Sequence, residues 1–352
     1  MPIIKSKRGE FAAVRLLSNE IKKQIVPFLD VLPPNRFAKK PKSLAEQLAW
    51  VADQVVAAWG THGPLWVDTF DIGPIVAQGN QVAIEFLCRD LRERSVPAIP
   101  VTGFERERAH DQAIARLLSE GATGICIRLE FEDLLLPTKL ASLLDSKLNL
   151  FDQEPHNTDL VLDLRFLEPG SVNNRISAVS RAIQNLPYLA SWRQLILAGS
   201  SMPNSLKDVC DRGAHDYIVR EECAIWSGIQ SRGLKRSPAF ADYTVVPPQF
   251  SEMDTRTIAK HLGPNVKYTL EGRWFVSRGK SFQKNGSDQY FDIAKNVVAL
   301  PEFRGFNASY GEKFISDRAS GESSKSGNPE QWVTAAVNSH VTWQTRRIAL
   351  SQ

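Results

Sequence analysis

The sequence is poor in the features that mark several common classes of protein. Its 352 residues include only four cysteines, Cys88, Cys126, Cys210 and Cys223, and no two have the Cys-x-x-Cys spacing of a zinc or redox motif. Free cysteine is among the most buried residue types, so buried thiols in a reducing cytoplasm are expected. No apolar stretch approaches the roughly 20 residues of a membrane helix, and the N-terminus lacks the apolar run of a signal peptide. We therefore expect a cytoplasmic protein without membrane contacts.

Charge and motif content narrow the function classes further. The formal net charge is only +4 and no strongly basic helix is evident, so sequence-specific DNA binding is not expected. The six histidines fall mostly in predicted helices and loops, which argues against a histidine-based metal site. The pattern Gly-x-Ser-x-Gly is absent, and Gly279-Lys280-Ser281 lacks the upstream glycine of a P-loop because position 274 is Trp274.

What is present is a regular alternation of apolar, β-rich segments with helical segments. Strands alternating with helices indicate a parallel sheet, and eight such units favour a (β/α)8 TIM-like barrel of the α/β class. An open sheet would favour a glycine-rich first turn, whereas the turn after Asp30 contains no glycine. The eight predicted strands are residues 25–31, 64–72, 98–104, 123–130, 159–169, 194–200, 238–245 and 265–276.

The length suits one large domain or two smaller ones, and a single barrel-like domain over residues 1–352 is expected. Residues 1–24 are predicted to be an N-terminal extension carrying an extra helix at 9–24. Residues 316–329 are rich in serine and glycine and are predicted to be a flexible loop.

Charged residues recur where the predicted strands end, which is the functional face of such barrels. Asp30, Glu130, Asp163 and Asp242 are the candidate catalytic acids and bases. Oxygen ligands suit hard cations, so Asp68, Glu130 and Asp163 are candidate ligands of Mg²⁺ or Mn²⁺. The alternative is a ring of salt bridges, in which these carboxylates pair with neighbouring arginines and fill the barrel mouth.

The basic residues at the same face suggest an anionic ligand. If helix 9–24 runs antiparallel to the first strand, the start of the helix approaches the strand ends, and glycines with basic residues after the eighth strand also suit an anion. Ser200 is expected to be a turn or ligand-contact residue rather than a nucleophile. The candidate ligand-binding residues are Lys5, Lys7, Glu10, Arg128, Arg165, Ser200, Tyr268, Arg273 and Arg278.

The opening segment Pro2-Ile3-Ile4-Lys5-Ser6-Lys7-Arg8-Gly9-Glu10-Phe11, followed by a helix and Val26-Pro27-Phe28-Leu29-Asp30-Val31, resembles the beta-protein family of phages and bacteria. Its Lys-x-Lys-x-Gly-Glu start precedes a Pro-Leu/Phe-x-Glu/Asp strand, and Asp30 stands here where Glu is common. The resemblance extends to Val161–Arg165 and to the C-terminal helix with Trp332 and His340. It implies a cytoplasmic barrel-like protein, often encoded near mobile-element or phage-conflict genes, and supplies no reaction.

Two functions from different classes follow from these observations. The first is a charged pocket for a phosphorylated or nucleotide-like ligand, with hydrolysis of a phosphoester as the most economical reaction, in a setting of phage–host conflict or anti-phage defence. The second is a non-catalytic scaffold whose loops bind a partner protein. The absence of a recognisable triad favours the second, and the charged strand ends favour the first.

Overall fold

A parallel β-barrel forms the centre of the computed structural model, which describes residues 1–35, 37, 39–73, 75–250 and 262–350. Eight strands follow one another round a single sheet, and a bridge from Pro2 to Asp242 brings the last strand back to the first. The predicted α/β fold, a TIM-like barrel, is confirmed. The strands are β1 (Ile3–Lys5), β2 (Phe28–Asp30), β3 (Leu65–Asp68), β4 (Ala98–Thr102), β5 (Ile125–Glu130), β6 (Thr158–Phe166), β7 (Gln194–Ser200) and β8 (Ala239–Asp242).

The number of barrel strands was predicted correctly, but one strand was assigned to the wrong segment. Residues 3–5, assigned to an N-terminal extension, form β1 and pair in parallel with β2. The predicted eighth strand at 265–276 is wrong, because this segment is a hairpin of Asn265–Leu270 and Arg273–Arg278. That hairpin lies with Ala214–Val219 in a separate three-stranded antiparallel sheet. A three-residue strand carries too little periodicity to be recognised from sequence.

Alternation along each strand separates the barrel interior from the layer beneath the helices. Val161 and Cys126 point inward, so Asp163 and Arg128, two residues further along, do so too. The residues between them contribute to the larger core that the helices cover. Each fully buried aliphatic or aromatic side chain contributes about 1.5–3 kcal/mol. The interior members are Ile3, Phe28, Trp66, Ile99, Val101, Cys126, Val161, Ile196, Ala198, Ala241 and Tyr243.

Helices follow most strands and cover the outside of the barrel. Ser43 caps its helix, since its side chain accepts from Glu46 N while the Glu46 carboxylate accepts from Ser43 N. The predicted helix 9–24 is two shorter helices, with Ser18 capping the second. The longer helices are Arg8–Arg15, Leu44–Ala58, Ala83–Glu93, Arg108–Ser119, Pro137–Phe151, Val172–Gln184, Glu221–Gln230, Gln289–Val298, Tyr310–Ala319 and Pro329–Leu350, and the short ones are Asn19–Lys22, Phe131–Leu134 and Phe282–Asn285.

A second hydrophobic core joins the antiparallel sheet to the C-terminal helices. Tyr268 and Phe275 of the sheet meet Tyr290, Phe314 and Trp332 there, and the rings of Tyr290 and Trp332 stack 4.8 Å apart. The segment predicted to be a flexible loop begins inside helix Tyr310–Ala319, so only residues 320–328 lie between helices. The flexibility of these residues stays a prediction.

All four cysteines are buried and free, as predicted. Within the described residues, no helix is both long enough and apolar enough to cross a membrane.

Candidate functional site

A single buried arginine, Arg128 of β5, joins side chains from three other barrel strands and from the residue that follows β8. Nη1 of Arg128 donates to Asp30 Oδ1 at 2.9 Å and to Asp68 Oδ2 at 2.7 Å. Its Nε and Nη2 donate to Asp163 Oδ2 at 2.9 and 2.6 Å, and Nη2 also contacts the hydroxyl of Tyr243, which follows β8. All five side chains are buried at the carboxyl ends of the strands. We call these five residues the mouth cluster.

The mouth cluster and the arginines beside it shift the pKa values of its three carboxyl groups in different directions. Burial by itself raises the pKa of a carboxyl group. Against burial, Arg106 and Arg128 lower the pKa of Asp68 to about 2, and Arg128 and Arg165 hold that of Asp163 below its ordinary value. For Asp30, burial prevails over Arg128, so its pKa is raised. The three carboxylates are thus balanced by three guanidinium groups, which is the ring of salt bridges considered from the sequence.

β6 is distorted where it reaches the mouth cluster. Its pairing with β7 shifts register between Asp163 and Phe166, and Arg165 has a φ of 52°. This left-handed conformation costs a non-glycine residue roughly 1–2 kcal/mol. It turns the Arg165 guanidinium toward Glu130 Oε1, 2.9 Å from Nε, and toward Tyr243 Oη, 3.4 Å from Nη1. Backbone strain and bulges of this kind are concentrated at functional sites.

The ring of Phe70 lies at the surface beside Arg106 and Arg165. Phe70 is 41% exposed, and the guanidinium carbons of Arg106 and Arg165 lie 4.5 and 5.5 Å from its ring centroid. These distances fall within the cation–π range. Arg106 also donates to Asp68 Oδ2 at 2.9 Å, which connects the surface layer to the mouth cluster. Phe70, both arginines and Glu130 help to line a cavity of about 20 Å³, which is room for about one water molecule.

Lys5 and Glu10 lie at the same end of the barrel. Lys5 ends β1, and its Nζ donates to Pro248 O at 2.9 Å while its main-chain nitrogen donates to Glu10 Oε2 at 2.8 Å. Glu10 is fully buried, and burial raises its pKa to about 7. Its Oε1 accepts no hydrogen bond within the part of the chain that the structure describes. Lys7 is exposed, so two of the three residues predicted here are held inside the protein.

Sequence reasoning missed Lys267 beside this group. Burial lowers the pKa of Lys267 to about 8, against the opposing effect of nearby Glu10. Its Nζ donates to Val245 O at 2.7 Å, and Lys5 holds Pro248, so both lysines fix the loop that follows β8. The sequence gives no signal for this contact, because Lys267 comes from the antiparallel sheet.

Asp242 ends β8 but faces away from the mouth cluster, because Tyr243 takes the inward position. Arg220 Nη2 donates to its Oδ2 at 3.0 Å, and His340 Nε2 lies 2.9 Å from the same oxygen. His340 Nδ1 in turn lies 3.0 Å from Thr269 Oγ1. This Thr–His–Asp series has the connectivity of a nucleophilic triad. However, Thr269 and His340 are each 1% exposed, so we interpret the series as structural rather than catalytic.

Three further candidate ligand residues lie in the antiparallel sheet instead of at the barrel mouth. Tyr268 Oη donates to Glu312 Oε1 at 3.3 Å in the second core. Arg273 pairs with Glu302 Oε1 at 2.5 Å on the surface, and Arg278 donates to Cys210 O at 2.6 Å. Arg273 and Arg278 were selected because a phosphate site was expected after an eighth strand at 265–276, and that premise is wrong.

Ser200 ends β7 in a buried turn, where its Oγ accepts from Met202 N at 3.1 Å. This is the turn role expected from the sequence.

No group of three or more His, Cys, Asp or Glu side chains is placed to hold a metal ion in the described ranges. Asp68 and Asp163 already accept from Arg128, and Glu130 Oε1 accepts from Arg165. The Mg²⁺ or Mn²⁺ site predicted at these three carboxylates therefore finds no support.

Comparison with known proteins assigns the chain to a sequence family. A sequence model described as Beta protein matches residues 1–346. The chain belongs to the Beta protein family. It is also 22% identical to Protein beta of Enterobacteria phage P4 over 348 residues, which is 97% of this chain and 92% of that protein. The family resemblance drawn from Lys5, Lys7, Gly9 and Glu10 is confirmed.

For this Beta protein family member, the strand-end residues were found from sequence, and their pairing with arginines was one of the two alternatives considered. Asp30, Asp163 and Arg128 were selected correctly as neighbours because parallel strand ends meet at one edge. Tyr243 and Arg106 were missed as site residues. The inward–outward alternation along β8 is the signal for Tyr243, since Ala241 is an interior residue. No comparable pattern marks Arg106, which reaches Asp68 from a loop.

Proposed function

We propose that the barrel mouth binds a phosphorylated or nucleotide-like ligand through Arg165. The observation that carries this proposal is the strained backbone of Arg165, whose φ of 52° directs a guanidinium group to the mouth beside an exposed aromatic ring. Its side chain is 27% exposed and that of Glu130 is 41% exposed. Fully exposed ion pairs are worth only about 0–1 kcal/mol, and this pair is partly exposed, so a doubly charged phosphate competes for the guanidinium group.

The surrounding residues supply the other contacts of a nucleotide-like ligand. Phe70 offers a ring face of the kind on which bases stack, typically worth about 1–3 kcal/mol per base. Arg106 lies over the same ring and keeps a positive charge close to Arg165. The cavity of about 20 Å³ is far smaller than a nucleotide, so the ligand lies against this surface and displaces Glu130 from Arg165.

The proposal is for binding, with phosphoester hydrolysis as a separate outcome of the assay. A general base must be free to take a proton. Asp30 and Asp163 both bind Arg128, and Asp242 is occupied by Arg220 and His340 outside the mouth. A role in phage–host conflict stays a prediction from the family resemblance.

The test is thermal unfolding with inorganic phosphate, AMP, ADP and glucose 6-phosphate, each with EDTA and with Mg²⁺. At a concentration of 100 Kd a ligand stabilises by about 2.7 kcal/mol, which for 352 residues raises Tm by about 3–4 °C. We expect a rise in both conditions for at least one phosphate compound. Release of phosphate during the incubation would add the hydrolase function.

A matched pair of variants makes the assignment specific. Arg165→Asn removes the guanidinium group and keeps a residue that tolerates positive φ, so we expect it to abolish the rise in Tm. Arg273→Asn removes another arginine that pairs with an exposed glutamate, and it should keep the rise. Equal rises in both variants, or none in the native protein, would refute the proposal.

A second candidate function, a scaffold for a partner protein, is favoured by one observation. Large apolar side chains are exposed on the loops after β3 and β5, which share the mouth edge of the barrel. Exposed apolar surface marks interaction sites where it forms a contiguous patch. An Asp163→Asn variant that keeps its fold should lose any turnover but keep a partner bound by these loops. The exposed side chains are Phe70, Ile75, Val76, Leu135 and Leu136.

A further inference from the structure

A second cavity lies outside the barrel, next to the seam where β8 returns to β1. It has a volume of about 720 Å³ and lies between these strands, helix Glu221–Gln230 and helix Pro329–Leu350. Drug-sized ligands occupy clefts of roughly 300–1,000 Å³, so the cavity has room for a small molecule. We call it the seam cavity.

The walls of the seam cavity combine apolar and polar side chains in similar measure. Ile25, Trp226, Phe240 and Ile348 contribute to its lining. The ring of Trp226 is held in place because its Nε1 donates to Pro238 O at 2.9 Å. These four side chains suit a hydrocarbon or aromatic body, and the polar part of the lining suits a polar head group.

One side-chain donor at the wall of the seam cavity lacks a hydrogen-bond partner among the described residues. Gln344 lines the cavity and is 6% exposed; its Oε1 accepts from Arg220 Nη1 at 3.2 Å. Its Nε2 has no hydrogen-bond partner among the described residues. A buried donor left unsatisfied costs free energy, so it calls for an acceptor. The Arg347 side chain also lines the cavity and adds positive charge to the same wall.

We infer that the seam cavity binds a small amphipathic carboxylate. The apolar body lies against Trp226 and Phe240, and the carboxylate accepts a hydrogen bond from Gln344 Nε2 near the Arg347 guanidinium group. Asp242 and His340, which also line the cavity, already pair with each other and do not compete for the ligand. This site is separate from the barrel mouth and does not rest on the ligand proposed there.

The test is isothermal titration of the full chain with octanoate, and with 1-octanol as an uncharged probe of the same length. We expect octanoate to bind once per chain and at least tenfold more tightly than 1-octanol. Quenching of Trp226 fluorescence, measured as the part of the signal lost in Trp226→Phe, should follow the same binding curve.

Two variants on one helix locate the site. Ser227 is exposed and lines the cavity, so Ser227→Phe fills it and should weaken octanoate binding at least tenfold. Ala224 is exposed three residues earlier on the same helix and is not part of the lining, so Ala224→Phe should change the affinity less than twofold. Gln344→Leu should remove the preference for octanoate over 1-octanol. Absence of octanoate binding, equal binding by both phenylalanine variants, or equal binding of the two probes would overturn the inference.

Discussion

Replacement of Arg128 by methionine is the sharpest perturbation of the mouth cluster. The Arg128 side chain is 4% exposed and lies 2.9, 2.7 and 2.6 Å from carboxylate oxygens of Asp30, Asp68 and Asp163. Breaking a buried ion pair by removing one partner costs about 3–5 kcal/mol, because the other charge stays buried. We therefore expect Arg128→Met to lower the free energy of unfolding by about 3–5 kcal/mol.

Arg128→Met does not leave the three carboxylates equally short of hydrogen-bond partners. Asp68 keeps Arg106, and Asp163 keeps the Arg165 main chain and the Tyr243 hydroxyl. No other side chain is seen to hydrogen-bond Asp30 in the described part of the chain. Most of the cost therefore falls on Asp30, and Asp30→Asn in the Arg128→Met background should recover about 1–2 kcal/mol.

Urea unfolding at pH 7 and pH 5 measures these changes. Burial raises the pKa of Asp30 even in the native protein. When a carboxyl group has a higher pKa in the folded protein than in the unfolded chain, it adds stability below the pKa of the unfolded chain. This contribution is lost as pH rises through the pKa of the folded protein. The cost of Arg128→Met should therefore be smaller at pH 5 than at pH 7. A loss of stability below 1 kcal/mol in Arg128→Met, or no recovery of stability with Asp30→Asn, would refute the account of the mouth cluster. Glu130→Gln, which breaks a pair nearer the surface, is the control.

Three further predictions concern other parts of the molecule. Burial raises the pKa of Glu10 from 4.5 to about 7, so the free energy of unfolding should fall by about 3 kcal/mol as pH rises from 4.5 to 7. Glu10→Gln should reduce this pH dependence in urea unfolding, and an unchanged dependence would contradict the prediction. Asp242→Asn weakens the buried pairing with His340 and should lower the free energy of unfolding by about 3 kcal/mol, while titration should show unchanged phosphate binding at the mouth. Loss of phosphate binding in a folded variant would instead give Asp242 a role at the mouth. Gly311→Ala places a Cβ 2.2 Å from Ala335 O and should lower the free energy of unfolding, measured by thermal unfolding, by about 1–3 kcal/mol. A change near zero would mean that helices Tyr310–Ala319 and Pro329–Leu350 move apart freely.

The sequence predicted the fold class because its evidence is repeated along the chain. Seven barrel strands carry apolar runs between helical segments, so errors at their ends did not change the conclusion. β1 was missed because three residues carry almost no periodicity, although its Ile3–Lys5 segment was part of the family resemblance. The hairpin of Asn265–Leu270 and Arg273–Arg278 was taken for a barrel strand, since one apolar run does not reveal which sheet it joins.

The candidate site was predictable only as a set of neighbours. Asp30, Asp163 and Arg128 lie at strand ends, and topology alone brings them to one edge of the barrel. Whether they pair or stay free depends on distances of a few tenths of an ångström, which no pattern encodes. The direction of Asp242 was open to the same alternation rule that placed Asp163. The bulge at Arg165 has no sequence signal, because arginine is not a residue that favours positive φ.

The most direct test of the central claim is isothermal titration of the native protein with AMP in EDTA, repeated with Arg165→Asn and Arg273→Asn. We predict saturable binding to the native protein and to Arg273→Asn, and at least tenfold weaker binding to Arg165→Asn. Equal affinity of all three proteins for AMP, or no binding by the native protein, would contradict the claim that Arg165 is held in its strained conformation to bind a phosphate group.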